Sequence, residues 1–132
     1  MTGLAKSFLS LAVIAALAGM VWGIQMSATH DHSLAPAHGH LNLLGWVSCS
    51  IFAFYYHLFP AQAEGGLAKL HFGTTLAAIV LLAPGIALAI REQTEVVAQA
   101  GSVIMVVSML VFAWIVLRPV RATQGRAAPA SG

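Results

Sequence analysis

The sequence predicts an all-α membrane protein, a bundle of four transmembrane helices. Three observations carry that expectation. Hydrophobic residues make up 59% of the chain and charged residues only 8%, where a soluble domain carries roughly a quarter charged residues; mean hydropathy is +0.86. The apolar residues gather in four stretches, at about 8–26, 41–59, 70–90 and 96–117. Each is long enough to cross roughly 30 Å of hydrocarbon as a helix. The connectors between them are short and hold six of the ten charged residues. An open sheet cannot satisfy its backbone in lipid, so the stretches are helices. A chain of 132 residues makes one small bundle, expected over residues 1–121, with a small, polar and flexible tail at 122–132.

The first stretch follows Lys6. One lysine, an apolar run and small residues also describe a secretory signal peptide. The run is longer than a signal core, and no clear Ala-x-Ala site precedes the histidines, so a retained helix is expected. The connector 27–37 carries Asp31 and Pro36, and the second helix follows it. Cys49 lies mid-run and has no second cysteine to pair with; it reads as a small buried hydrophobe, with a thiolate metal ligand as the alternative. Pro60 and the Gly65-Gly66 pair mark the next turn. Pro84 and Gly85 interrupt the third helix, predicting either a kink or an early end. Gly101, Ser102, Met105, Ser108 and Met109 give the fourth helix a small, soft face suited to close packing. Met105 or Met109 as an axial metal ligand is the less ordinary alternative.

In a four-span topology Lys6, Lys69, Arg118, Arg121 and Arg126 fall on one side, and Arg91 is the only Lys or Arg on the other. The positive-inside rule then puts both termini in the cytoplasm and the histidine-rich connector outside, facing the periplasm if the membrane is a bacterial inner membrane. Trp22, Trp46, Trp114, Tyr55 and Tyr56 are candidate interfacial anchors. The net charge of +2 is too weak to suggest nucleic acid. The expected partner is the lipid bilayer.

Four of the six histidines, His30, His32, His38 and His40, fall within eleven residues at the entry to the second helix. Ionisable groups at the edge of hydrocarbon are costly and tend to mark function, and histidine is the commonest metal ligand. Each helical residue turns about 100°, so His38 and His40 point about 200° apart. They cannot chelate one ion on a regular helix; they can ligate two centres on opposite sides of it. Gly39 and Gly45 remove side chains beside them, which would let a flat ring approach the backbone. Leu41, Leu43 and Leu44 supply apolar walls. A ligating imidazole needs an acceptor for its other ring nitrogen. Asn42, four residues beyond His38, is a candidate partner, or else a polar contact to a propionate or a neighbouring helix. His30 and His32, with Asp31, Met26 and His38, form an alternative copper, zinc or nickel set, or a solvated loop. His57 and His71 fall at the cytoplasmic ends of their helices, where snorkelling to the interface is the expected role.

The segment Ala37-His38-Gly39-His40-Leu41-Asn42-Leu43-Leu44-Gly45-Trp46, continued by Tyr55-Tyr56-His57-Leu58-Phe59-Pro60, resembles the histidine-pair helix of heme–copper oxidase subunit I. It is most similar to the branch of cbb-type oxygen reductases and nitric-oxide reductases. Lys69-Leu70-His71-Phe72 resembles the start of the helix that follows. The resemblance covers about residues 5 to 118, the last four helices of a twelve-helix subunit. It implies haem b as cofactor, with His38 in the high-spin and His40 in the low-spin role. It departs from the family in lacking the copper histidines and the second low-spin ligand, so one copy cannot build the oxidase dinuclear centre. Subunit I is three arcs of four helices about a pseudo-threefold axis. Three copies of this chain would restore that outline, which implies a homo-oligomer, a trimer by preference, with each iron between His40 of one protomer and His38 of the next. No Cys-x-x-Cys-His occurs, which excludes covalent c-type attachment.

The functions expected are electron transfer or diatomic-gas sensing by a haem-binding membrane protein. The alternatives are copper handling at the outer face by His30, His32 and Met26, or a non-catalytic assembly subunit for respiratory-chain components. No catalytic residue is assigned. Glu64, Glu92 and Glu95 all fall in connectors, and Thr74 and Thr75 alone do not make a proton path.

Overall fold

In the computed structural model, which describes residues 1 and 3–119, the chain is helical throughout, and four of its helices are long and apolar enough to cross a membrane. The first, α1, spans Gly3–Thr29. The second spans Ala35–Leu58 and is built of three pieces: α2 (Ala35–His40), a π-helical stretch (Leu41–Ser48) and α3 (Cys49–Leu58). A single 3₁₀ turn at Pro60–Gln62 leads to α4 (Gly66–Ile90), and α5 covers Val96–Leu117. The chain runs up and down four times. The ends of α1 and α4 therefore meet the starts of α2 and α5 at one end of the bundle. Residues 122–132, read as a tail from the sequence, lie outside the described residues.

The first three spans start before the apolar runs that announced them, and α5 matches its run at Val96–Leu117. The largest difference is at the second, which starts at Ala35 rather than near residue 41. Pro36 falls in the first turn, where its fixed φ suits a helix and its missing N–H costs nothing. Ala35 N–H donates to the His32 carbonyl at 3.0 Å and His38 N–H to the Leu34 carbonyl at 3.1 Å, so the helix starts out of the connector itself. His38 and His40 thus sit within the helix and not ahead of it.

Many large apolar side chains point outward, and the contact faces between helices are rich in small residues, unlike those of a water-soluble bundle. On α1, Ala5, Phe8, Ala12, Ala15 and Gly19 are buried at alternating three- and four-residue steps, with Met26 two turns further on the same face, while Val13, Ile14, Leu17, Val21 and Ile24 are exposed. In lipid, helix association relies on close packing and not on hiding apolar surface, so the contact stripe favours small residues. Gly45 shows the consequence: a Cβ there would stand 2.7 Å from Cβ of Ala15.

The pair α4–α5 is equally close. A Cβ at Gly85 would meet the Ala98 backbone nitrogen at 2.6 Å, and one at Gly101 would lie 3.0 Å from Leu82 N. Gly101, Met105 and Ser108 are buried as the small face foresaw, whereas Ser102 and Met109 are exposed. The helix α4 runs unbroken through Pro84 to Ile90, so it does not end early. Its turn into α5 is made by Glu92 in the left-handed region (φ 55°), matched by His30 (φ 54°) after α1.

Candidate functional site

The histidine pair occupies α2, one and a half turns of regular α-helix. The 100° step therefore holds, and the two rings leave opposite sides. His38 is half-buried and faces α1, where its Nε2 donates to the Gly19 carbonyl at 3.0 Å. Its ring meets the Trp22 indole edge-on, centroids 6.1 Å apart. Gly23, one turn from Gly19, leaves room for the ring: a Cβ there would touch His38 Nε2 at 3.5 Å. His40 is exposed and turned outward. Its Nδ1 donates to the Pro36 carbonyl at 2.8 Å. A carbonyl only accepts, so the neutral ring carries its proton on Nδ1 and leaves the Nε2 lone pair free.

The residues flanking the pair divide between two tasks. Gly39 is exposed, and a Cβ there would meet nothing within 4 Å. Leu43, Trp46 and Val47 are exposed apolar residues downstream on the same helix. Gly45 is buried against α1 and serves helix contact. Asn42 donates its amide to the His38 carbonyl at 2.9 Å, and a Cβ on Gly19 would run into its side chain. The acceptor for the His38 ring is the Gly19 carbonyl, which the sequence had no means of indicating. Immediately past His40 the helix widens into its π-helical stretch, Leu41–Ser48. Ser48 Oγ donates to the Leu43 carbonyl and Cys49 Sγ to the Leu44 carbonyl, both five residues back. Stretches of this kind frequently accompany functional sites.

The connector histidines are arranged otherwise. His30 and His32 are exposed, and Met26 is buried within α1's contact face. Among the described residues no three His, Cys, Asp or Glu side chains come together in a way that could hold a metal ion. Asp31 accepts from the Ser33 N–H at 2.9 Å; that bond holds its carboxyl below the usual range. Cys49 is fully buried, as the hydrophobe reading expected.

One residue departs from expectation altogether. His71 does not snorkel: it is fully buried among Phe8, Phe52 and Phe112, with centroids 5.0, 4.5 and 5.0 Å away. Tyr56, expected as an interfacial anchor, is buried beside it. The Tyr56 hydroxyl and His71 Nδ1 lie 2.9 Å apart. With the phenol donating, the ring proton sits on Nε2, which is buried with no hydrogen-bond partner. Thr75 Oγ1 donates to the His71 carbonyl at 2.7 Å and meets Ser108 Oγ at 2.7 Å, which ties α4 to α5. The signal in the sequence was Tyr56 itself, a polar-tipped aromatic within an apolar run, which calls for a partner. His57, by contrast, is exposed.

No protein-family model matches the chain, and no curated protein or solved structure matches it either. The likeness to heme–copper oxidase subunit I therefore rests on the residues of segments 37–46, 55–60 and 69–72 alone.

Proposed function

We propose that the chain is a haem b-binding integral membrane protein, working in electron transfer or diatomic-gas sensing, with the haem held between protomers of a homo-oligomer. The observation that carries this is His40: an exposed imidazole whose Nδ1 is held by the Pro36 carbonyl of its own helix, which leaves Nε2 as the nitrogen open to a ligand. Axial ligation of iron uses that state, with the second nitrogen bonded to an acceptor that orients the ring. Open space at Gly39 and the exposed Leu43, Trp46 and Val47 supply the flat apolar approach a porphyrin takes.

The fit differs on the other side of the helix. His38 gives its Nε2–H to the Gly19 carbonyl, which leaves Nδ1 as the ring nitrogen with a lone pair for a ligand. In the trimer we favour, His40 of one protomer faces His38 of the next, and the sister's ring would ligate through Nδ1. Bound haem supplies a one-electron couple; the protein orients His40, excludes water with the apolar side chains and completes the ligation from a second copy. The basic end of the bundle, with Lys6, Lys69 and Arg118, faces the cytoplasm in this reading, and the histidine end faces the periplasm of a bacterial inner membrane. The copper alternative draws less support, since among the described residues His30 and His32 belong to no group of three His, Cys, Asp or Glu that could hold a metal ion.

Purified protein tests the proposal by its absorption. The expected result is a Soret band with a sharp reduced alpha band, lost in His40→Ala and kept in His30→Ala/His32→Ala. Colourless protein that takes up no added haemin would overturn it.

A further inference from the structure

At the same end of the bundle lies a cavity of about 170 Å³ between the end of α1, the connector and the α4–α5 turn. Trp22, Gln25 and Met26 come from α1, Asp31 and Ser33 from the connector, and Arg91 from the turn. Asp31 and Arg91 carry opposite charges across this space, close enough for the guanidinium to bear on the carboxylate. They are not an ion pair, and among the described residues the Arg91 side chain makes no hydrogen bond. Asp31 stays ionised at neutral pH, held by Ser33. The exposed Asp31 and Arg91, the half-buried indole of Trp22 and the buried thioether of Met26 thus frame one small polar space at this end of the bundle.

We propose that this cavity binds a zwitterion with a primary ammonium and an anionic phosphate, the chemistry of an ethanolamine phospholipid headgroup. The phosphate takes the Arg91 fork, which suits it in geometry and charge. The ammonium donates to Asp31 and lies against the indole of Trp22, a favourable setting for a cation. A simple anion is disfavoured, because Asp31, Glu92 and Glu95 outnumber Arg91 at this end. A trimethylammonium has no N–H to give Asp31, so a choline headgroup is disfavoured too. The site is independent of the haem reading and survives its failure.

The test is lipid retention by the full chain, read by native mass spectrometry. The protein is released from nanodiscs of phosphatidylethanolamine, phosphatidylcholine or phosphatidylglycerol. The ethanolamine lipid should be retained about tenfold over the other two, and both Arg91→Gln and Asp31→Asn should lose that preference. Arg91→Lys and Asp31→Glu, which keep the charges, should keep a part of it, and unchanged helicity would show that the neutral variants fold. Soluble glycerophosphoethanolamine separates the sources. Displacement of the lipid by millimolar amounts supports recognition of the headgroup alone, and failure to displace supports a lipid held also by its chains. Equal retention of the three lipids would overturn the proposal. So would preference for phosphatidylglycerol, or loss in Arg91→Gln without loss in Asp31→Asn, since either describes a plain anion site.

Discussion

His71 places a titratable ring among Phe8, Phe52, Tyr56 and Phe112, and that ring makes one hydrogen bond. A polar group buried in a membrane bundle is held by whatever partner it has. Tyr56→Phe removes that partner and leaves both ring nitrogens orphaned. The expected loss of stability is about 1–2 kcal/mol, measured by denaturant or detergent unfolding of the purified protein. The double variant Tyr56→Phe/His71→Phe removes donor and acceptor together and should recover most of the loss; a double variant that is additive with the singles would refute the coupling. His40 stands at the opposite pole of the same scale. It is exposed, bonded only to its own helix, and oriented for a ligand outside the protomer. The first ring serves the fold and the second serves the function we propose.

At the scale of the element, small residues decide how close two helices come. Gly45 meets Ala15, Gly19 meets Asn42, and Gly85 meets the backbone of α5. Gly45→Ala should cost about 1–3 kcal/mol in thermal or detergent stability. Because the clash is with a single methyl, Ala15→Gly in the same chain should restore much of it. Failure of that rescue would show that α1 and the second helix are not in this register. No equivalent rescue exists at Gly85, where the obstacle is the main chain. The π-helical stretch begins directly after His40 and so sets the angle between the histidine pair and the interior residues Cys49, Phe52 and Tyr56 further along. His30 and Glu92 hold left-handed conformations that glycine usually takes, and they flank Asp31 and Arg91, the two charges of the cavity.

For the whole molecule, the histidine pair of one protomer offers one outward imidazole nitrogen, and six-coordinate iron of the bis-histidine kind needs two. The functional unit we propose therefore contains more than one chain. Mass measurement in mild detergent should find an oligomer, a trimer by preference, whose haem content falls with dissociation. A haem-loaded monomer would refute the shared site. Within the protomer the two ends of the bundle differ in kind. One carries Lys6, Lys69 and an Arg118 bonded to the buried Gln62 at 2.7 Å; the other carries the histidine pair and the polar cavity. That asymmetry is the basis for placing the histidine end outside.

Composition and hydropathy by themselves determined the helical membrane class and the count of four spans, because lipid leaves the backbone no other way to satisfy its hydrogen bonds over such lengths. The opposed directions of His38 and His40 were also legible, since 100° per residue is a local property of any α-helix. Position along the chain could not say which neighbour each ring would meet. Gly19 lies nineteen residues before His38, and Tyr56 fifteen before His71. Placing His71 at a helix end suggested an interfacial ring; only the crossing of α1, α3, α4 and α5 enclosed it in aromatic side chains. Likewise, Asp31 and Arg91 are sixty residues apart and share a cavity solely because two turns close at the same end of the bundle. Local periodicity is written in sequence, whereas burial and partnership arise from contacts between segments that sequence separates.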